Sequence, residues 1–97
     1  MQLSFDPNKN DRNVQERGLD FSLASELDWA TAVIEEDTRE NYGEQRFRVL
    51  GCIGGRLYAI VFTPRAGKLH IISLRKANSR EVKRYEKSSK PGIDRQR

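Results

Sequence analysis

The stretch Lys68-Leu69-His70-Ile71-Ile72-Ser73-Leu74-Arg75-Lys76-Ala77-Asn78-Ser79-Arg80-Glu81-Val82-Lys83-Arg84-Tyr85-Glu86 decides how the rest of the chain is read. Apolar residues at Leu69, Ile71, Ile72 and Leu74 mark a buried strand that runs out in Arg75-Lys76. Asn78, with Glu81 three residues later, forms an Asn-type capping box and opens a helix to about Lys87. The strand end therefore delivers Arg75 and Lys76 beside Arg80, Lys83, Arg84 and the phenol of Tyr85. Fixed guanidinium and ammonium groups next to an aromatic hydroxyl suit RNA phosphate. They also suit charge stabilisation if that phosphate reacts.

Upstream of this stretch, Pro64 to Gly67 turns the chain. Before the turn, Arg56–Thr63 is apolar on both faces (Leu57, Tyr58, Ala59, Ile60, Val61, Phe62), the pattern of a central strand. Gly54-Gly55 is a hairpin signal. Ahead of it, Arg46, Arg48 and Leu50 alternate with Phe47, Val49 and Gly51, as in a half-exposed strand. The polar run Glu35–Gly43 has almost nothing to bury and reads as a mobile loop. Trp29–Glu36 is expected to be extended, built around Ala32, Val33 and Ile34, with Trp29 in the core.

Two helices are expected before that. Asp6-Pro7 supplies a side-chain cap and a residue preset for the first turn, Phe5 packs onto that turn, and Gly18 ends a helix over about 7–17. Val14 is its one strong apolar anchor. Asp20 or Ser22 caps a second helix through about Asp28, with Phe21, Leu23, Ala24 and Leu27 as its buried stripe. The order predicts an α+β fold with N-terminal helices packed on one face of a small antiparallel sheet, followed by a C-terminal helix. The other sheet face is left partly free for a long, flexible ligand. Residues 1–87 form a single domain, and 88–97 are expected to be a disordered basic tail.

Ninety-seven residues suffice for one core. No apolar run is long enough for a membrane span, and the first residues lack the order of a secretory signal. With one cysteine (Cys52, expected as a small buried hydrophobe) and one histidine, neither a disulfide nor a metal-ligand cluster is expected. A cytoplasmic protein without cofactor or metal fits best. Residues 1–44 carry 11 acids and 4 bases, net −7, while residues 45–97 carry 14 bases and 3 acids, net +11. That asymmetry marks a nucleic-acid face on the basic half, an acidic half that neutralises it in three dimensions, or charges that only solubilise a small domain.

Several segments resemble the BrnT-like toxins. These are Phe5-Asp6-Pro7-Asn8-Lys9, Arg17-Gly18 with Phe21, Glu44-Gln45-Arg46-Phe47, Leu50-Gly51, Gly55-Arg56-Leu57, Val61-Phe62-Thr63, and Ile71-Ile72-Ser73-Leu74-Arg75-Lys76-Ala77 with Arg80-Glu81 and Tyr85. The resemblance runs from residue 3 to about 86. It implies a RelE-like fold and a toxin of a type II toxin–antitoxin pair that cleaves RNA and so inhibits translation. It also implies a cognate ribbon-helix-helix antitoxin, with promoter DNA engaged only through that antitoxin. Two departures stand out: Arg17 occupies a position where relatives carry histidine, and His70 one where arginine is common.

Metal-free RNA cleavage needs a base for the ribose 2′-hydroxyl, cations for the crowded phosphorane, and an acid for the leaving 5′-oxygen. Arg75 is the first candidate for the phosphate, through two parallel hydrogen bonds, followed by Arg46 and Arg80. Lys9, His70, Tyr85 and Glu44 are the candidates for proton transfer. His70 has the most suitable intrinsic pKa, but simple alternation puts it on the face of Ile72 and Leu74, where a packed structural histidine is the competing reading. Tyr85 also suits anchoring its helix, Glu44 an ion pair with an arginine, and Lys9 solvated surface. Arg17, Arg48, Arg56, Lys76, Lys83 and Arg84 form an electrostatic background for RNA. A non-catalytic basic module that binds RNA or an acidic protein segment, such as a degenerate toxin that keeps only antitoxin binding, is the rival reading.

Overall fold

The computed structural model describes residues 2–89. Of the expected tail 88–97, Ser88 and Ser89 belong to the C-terminal helix and the rest lies outside the described residues. The chain order is β1 (Leu3–Phe5), α1 (Pro7–Arg17), two 3₁₀ segments (Phe21–Glu26 and Trp29–Thr31), β2 (Val33–Glu36), β3 (Phe47–Ile53), β4 (Arg56–Arg65), β5 (Lys68–Lys76) and α2 (Ser79–Ser89). One five-stranded sheet runs in the order β1-β5-β4-β3-β2. It is mixed, because β1 pairs parallel with β5 while the other pairs are antiparallel. This corrects the expected all-antiparallel sheet. The short Leu3-Ser4-Phe5 alternation is a strand as well as the approach to the helix cap.

The α+β class holds, but the expectation of several N-terminal helices does not: among the described residues α1 is the one α-helix in that half. Phe21, Ala24 and Leu27 are all buried at intervals of three. A 3₁₀ turn places positions three apart on one side, so the spacing favours 3₁₀ over α-helix here. Asp20 caps this segment through Ser22 N at 2.9 Å, and Asp28 caps the next through Ala30 N at 3.2 Å. Trp29–Thr31 is thus a 3₁₀ turn, with the extended strand confined to Val33–Glu36. Trp29 packs edge-on against Phe62, as the core reading expected.

The 3₁₀ segments cover one sheet face, where Phe21, Ala24 and Leu27 meet Val49, Ile60, Phe62, Ile71 and Leu74. Gly51 of β3 lets Leu27 approach closely: a Cβ there would lie 2.9 Å from Leu27 Cδ1. Helix α1 has the expected Asp6 cap (Asn8 N to Oδ1, 2.9 Å) and a left-handed Gly18. Its anchor, however, is not Val14, which is 41% exposed. Asn13 is buried instead, and its Nδ2 donates to Leu19 O at 2.9 Å and to Leu74 O at 3.0 Å. The second bond satisfies a carbonyl of β5 beyond the point where β1 has ended.

The β4–β5 turn is shorter than expected, since Pro64 and Arg65 remain paired and only Ala66-Gly67 turn, both at positive φ. Within β5, Val61 pairs with Ser73 and Phe62 with Ile71, so Ile72 is an extra, bulged residue. A bulge of one residue switches the alternation beyond it. His70 therefore faces away from Leu74 and the helical layer, which corrects the face expected for it. Cys52 is a free, partly buried thiol, and no helix among the described residues is long and apolar enough to cross a membrane.

Candidate nucleic-acid interface

Helix α2 lies on the sheet face opposite the 3₁₀ layer. Asn78 and Glu81 close the expected capping box, with Glu81 N to Asn78 Oδ1 at 2.8 Å and Asn78 N to Glu81 Oε1 at 2.9 Å. Glu81 also receives both terminal nitrogens of Arg75 at 2.8 Å each. One carboxylate thus starts the helix and ties it to the end of β5. The Arg75 fork holds Glu81 well below the usual carboxylate range, at about 2, and Glu81 in turn raises Arg75. At the far side of the sheet, Tyr85 OH donates to Thr31 O at 3.2 Å, so the phenol anchors the helix.

Between α2 and the sheet runs a groove of about 140 Å³. Its floor is apolar, with Val33, Leu50, Ala59 and Val61, and Arg39, Arg48, Arg75 and Arg84 stand along it. Arg48 is paired with Glu35 at 2.8 Å, yet its Nε is covered and has no acceptor among the described residues. A covered, unsatisfied donor costs about 1–3 kcal/mol. Arg84 makes no ion pair within 4.0 Å among the described residues.

Arg39 comes from the segment expected to be a loop with little to bury. Asp37 is instead only 4% exposed. It accepts Arg39 Nε at 2.8 Å and NH2 at 2.7 Å, and Tyr42 OH at 3.2 Å. Those bonds, Arg39 foremost, hold the Asp37 carboxyl far below its ordinary value. Arg46 lies over the Tyr42 ring at 4.2 Å and donates to Glu44 at 3.2 Å. Glu44 also accepts from Arg65 at 2.9 Å, and its pKa is lowered by Arg65 and then Arg46. The ion-pair reading of Glu44 fits this geometry.

The structure therefore brings Arg48, Arg75, Arg84 and Tyr85 together. It leaves other expected residues elsewhere. Lys76, Lys83 and exposed Arg80 are not on the groove, and Arg56 sits at the β3–β4 hairpin. Arg17 donates to Asn13 Oδ1 at 2.9 Å on α1 and borders a shallower cleft with Lys9, Ile72 and Ser73. Since Ser73 also lines the groove, the two depressions adjoin. Arg39 and Glu35 are groove residues that the sequence reading passed over. The spacing Asp37-x-Arg39 ahead of an aromatic was the available signal for the first.

A model of the ribonuclease toxin BrnT, of a type II toxin–antitoxin system, matches residues 5–81. The chain belongs to the BrnT family. That match spans α1, β2 to β5 and the start of α2, including Glu81 but not Arg84 or Tyr85, and takes in only Phe5 of β1. Comparison with curated protein sequences gives no match. Membership makes this a ribonuclease toxin family chain, for which RNA is the substrate class and an antitoxin the partner class.

Proposed function

We propose that this BrnT-family chain is a metal-independent RNA endonuclease that lays single-stranded RNA along the sheet face carrying α2. The observation that supports this reading is the line of Arg39, Arg48, Arg75 and Arg84 above an apolar floor. Guanidinium groups bind phosphate by paired hydrogen bonds, and the apolar floor accommodates base or ribose surface. The Glu81 carboxylate occupies both terminal nitrogens of the Arg75 fork, so a phosphate bound there would take the carboxylate's place. The chain supplies its own positive charge for the phosphorane, and 2′-hydroxyl attack yields a 2′,3′-cyclic phosphate and a 5′-hydroxyl.

Cleavage of messenger RNA in this way inhibits translation. By family resemblance the neutralising partner is a ribbon-helix-helix antitoxin, which carries the pair to promoter DNA. Incubating the purified chain with ribosome-free RNA in EDTA tests the proposal. The expected products carry cyclic-phosphate ends. Arg75→Ala is expected to lower kcat/KM by about 10–100-fold, the equivalent of charge-assisted hydrogen bonds worth about 1.5–3 kcal/mol. RNA left intact by the folded protein would contradict cleavage of free RNA and favour the non-catalytic, antitoxin-binding reading.

A further inference from the structure

One row along the sheet from the groove, Ser4 of β1, His70 of β5 and Thr63 of β4 stand side by side. The bulge at Ile72 places this row on the same face as Ser73 and Arg75. His70 Nδ1 lies 2.9 Å from Ser4 Oγ, and the paired register of the two strands fixes that contact. The other ring nitrogen, Nε2, has no partner among the described residues and is not among the covered polar atoms that lack one. It is therefore not fully covered, on a half-buried ring. Four residues lie between His70 and Arg75, one of them the bulged Ile72, so their Cα atoms are roughly 15 Å apart at a strand rise of about 3.3 Å. With the Arg75 fork held by Glu81, the two residues stand at separate points that one RNA strand can cross.

The charged groups facing the imidazole come from three other elements: Lys9 of α1 with the capping Asp6, Arg65 at the end of β4, and Glu44 of the 37–46 segment. Glu44 is engaged by Arg65 and Arg46, which leaves Lys9 as the cation without an ion-pair partner among the described residues. Burial first, then Arg65, lowers the His70 pKa, which favours the neutral ring that can take a proton.

We propose that this corner, rather than the arginine groove, performs the proton transfer, with His70 as the general base and Ser4 as its positioning residue. The proposal rests on the ribonuclease reading above. In the active tautomer Nδ1–H donates to Ser4 Oγ, leaving the Nε2 lone pair free. Nε2 takes the 2′-hydroxyl proton as the O2′–P bond forms. The P–O5′ bond breaks, and the leaving oxygen takes a proton from the Lys9 ammonium. Water then carries the proton from imidazolium back to the Lys9 amine, which restores both groups.

A single histidine makes the imidazole a unique probe in the full chain. Its ring ¹⁵N shifts would be read alone and with a 2′-O-methyl oligonucleotide that binds but cannot be cut, alongside cleavage kinetics of His70→Gln and Ser4→Ala. The expected results are an Nδ1–H tautomer and an Nε2 signal that moves when the oligonucleotide binds. His70→Gln should lower kcat by about 100-fold or more with KM nearly unchanged, the range general base catalysis supplies. Ser4→Ala should lower kcat by less and shift the acid limb of the pH–rate profile. An Nε2–H tautomer, an imidazole unmoved by bound RNA, or wild-type kcat in His70→Gln would overturn the proposal. If His70→Gln cuts as the wild type does, only the role of His70 falls. A wild-type chain that cuts no RNA overturns the ribonuclease reading and the base role with it.

Discussion

Glu81 gives the clearest single-residue handle on stability, because one carboxylate caps α2 and holds Arg75. Its folded pKa of about 2 lies below the ordinary value of 4.5. Stability from this group is therefore complete above the unfolded value and is lost as pH falls from there towards about 2. Glu81→Ala is expected to cost about 1–2 kcal/mol in urea unfolding at pH 7 and to flatten the acid side of the stability curve. His70 acts in a higher window. Its lowered pKa means that the unfolded chain binds the extra proton first, so stability is complete above about 6.5 and declines as pH falls through that value. His70→Asn should remove this step and leave the one from Glu81. The capping box was legible from spacing alone. The Arg75 partner was not, because a turn separates the two residues, and the face of His70 was not, because an uncapped run of apolar residues gives no sign of a bulge at Ile72.

At the scale of elements, the layer beneath the sheet depends on close approach and on one buried amide. Gly51→Ala would press a methyl into Leu27, with Cδ1, Cγ and Cδ2 at 2.9, 3.0 and 3.1 Å. Overpacking of this kind should cost about 1–3 kcal/mol, read as a lower thermal midpoint. Asn13→Ala should cost a similar amount, because it strips two carbonyls, Leu19 O and Leu74 O, of their donor. Strands β3 to β5 and the ends of α1 followed from alternation, Gly-Gly and Asp-Pro signals that act within a few residues. The parallel β1 did not, since three residues carry too little periodicity and the partner strand lies at the far end of the chain. Phe21, Ala24 and Leu27 of the expected stripe are buried and Leu23 partly so, but a period of three fits a 3₁₀ turn rather than the expected helix.

Across the whole molecule, the acidic and basic halves meet in ion pairs. Glu35 binds Arg48, and Glu44 binds both Arg46 and Arg65. Carboxylates therefore pair with three of the four groove arginines, Arg39, Arg48 and Arg75, while Arg84 makes no ion pair within 4.0 Å among the described residues. Position within one strand and helix gives no sign of Arg39, which reaches the groove from the other half of the chain. Arg56, expected among the RNA-binding residues, lies at the β3–β4 hairpin and does not line the groove.

The measurement that tests the account most directly is the salt dependence of binding for an uncleavable single-stranded RNA, compared among wild type, Arg75→Ala and Arg56→Ala. Each lost phosphate contact should lower the slope of log K against log salt by about 0.7. The account predicts that loss for Arg75→Ala, together with weaker binding, and a wild-type slope for Arg56→Ala. An unchanged slope in Arg75→Ala, or equal losses in both variants, would contradict an RNA path along the face that carries α2.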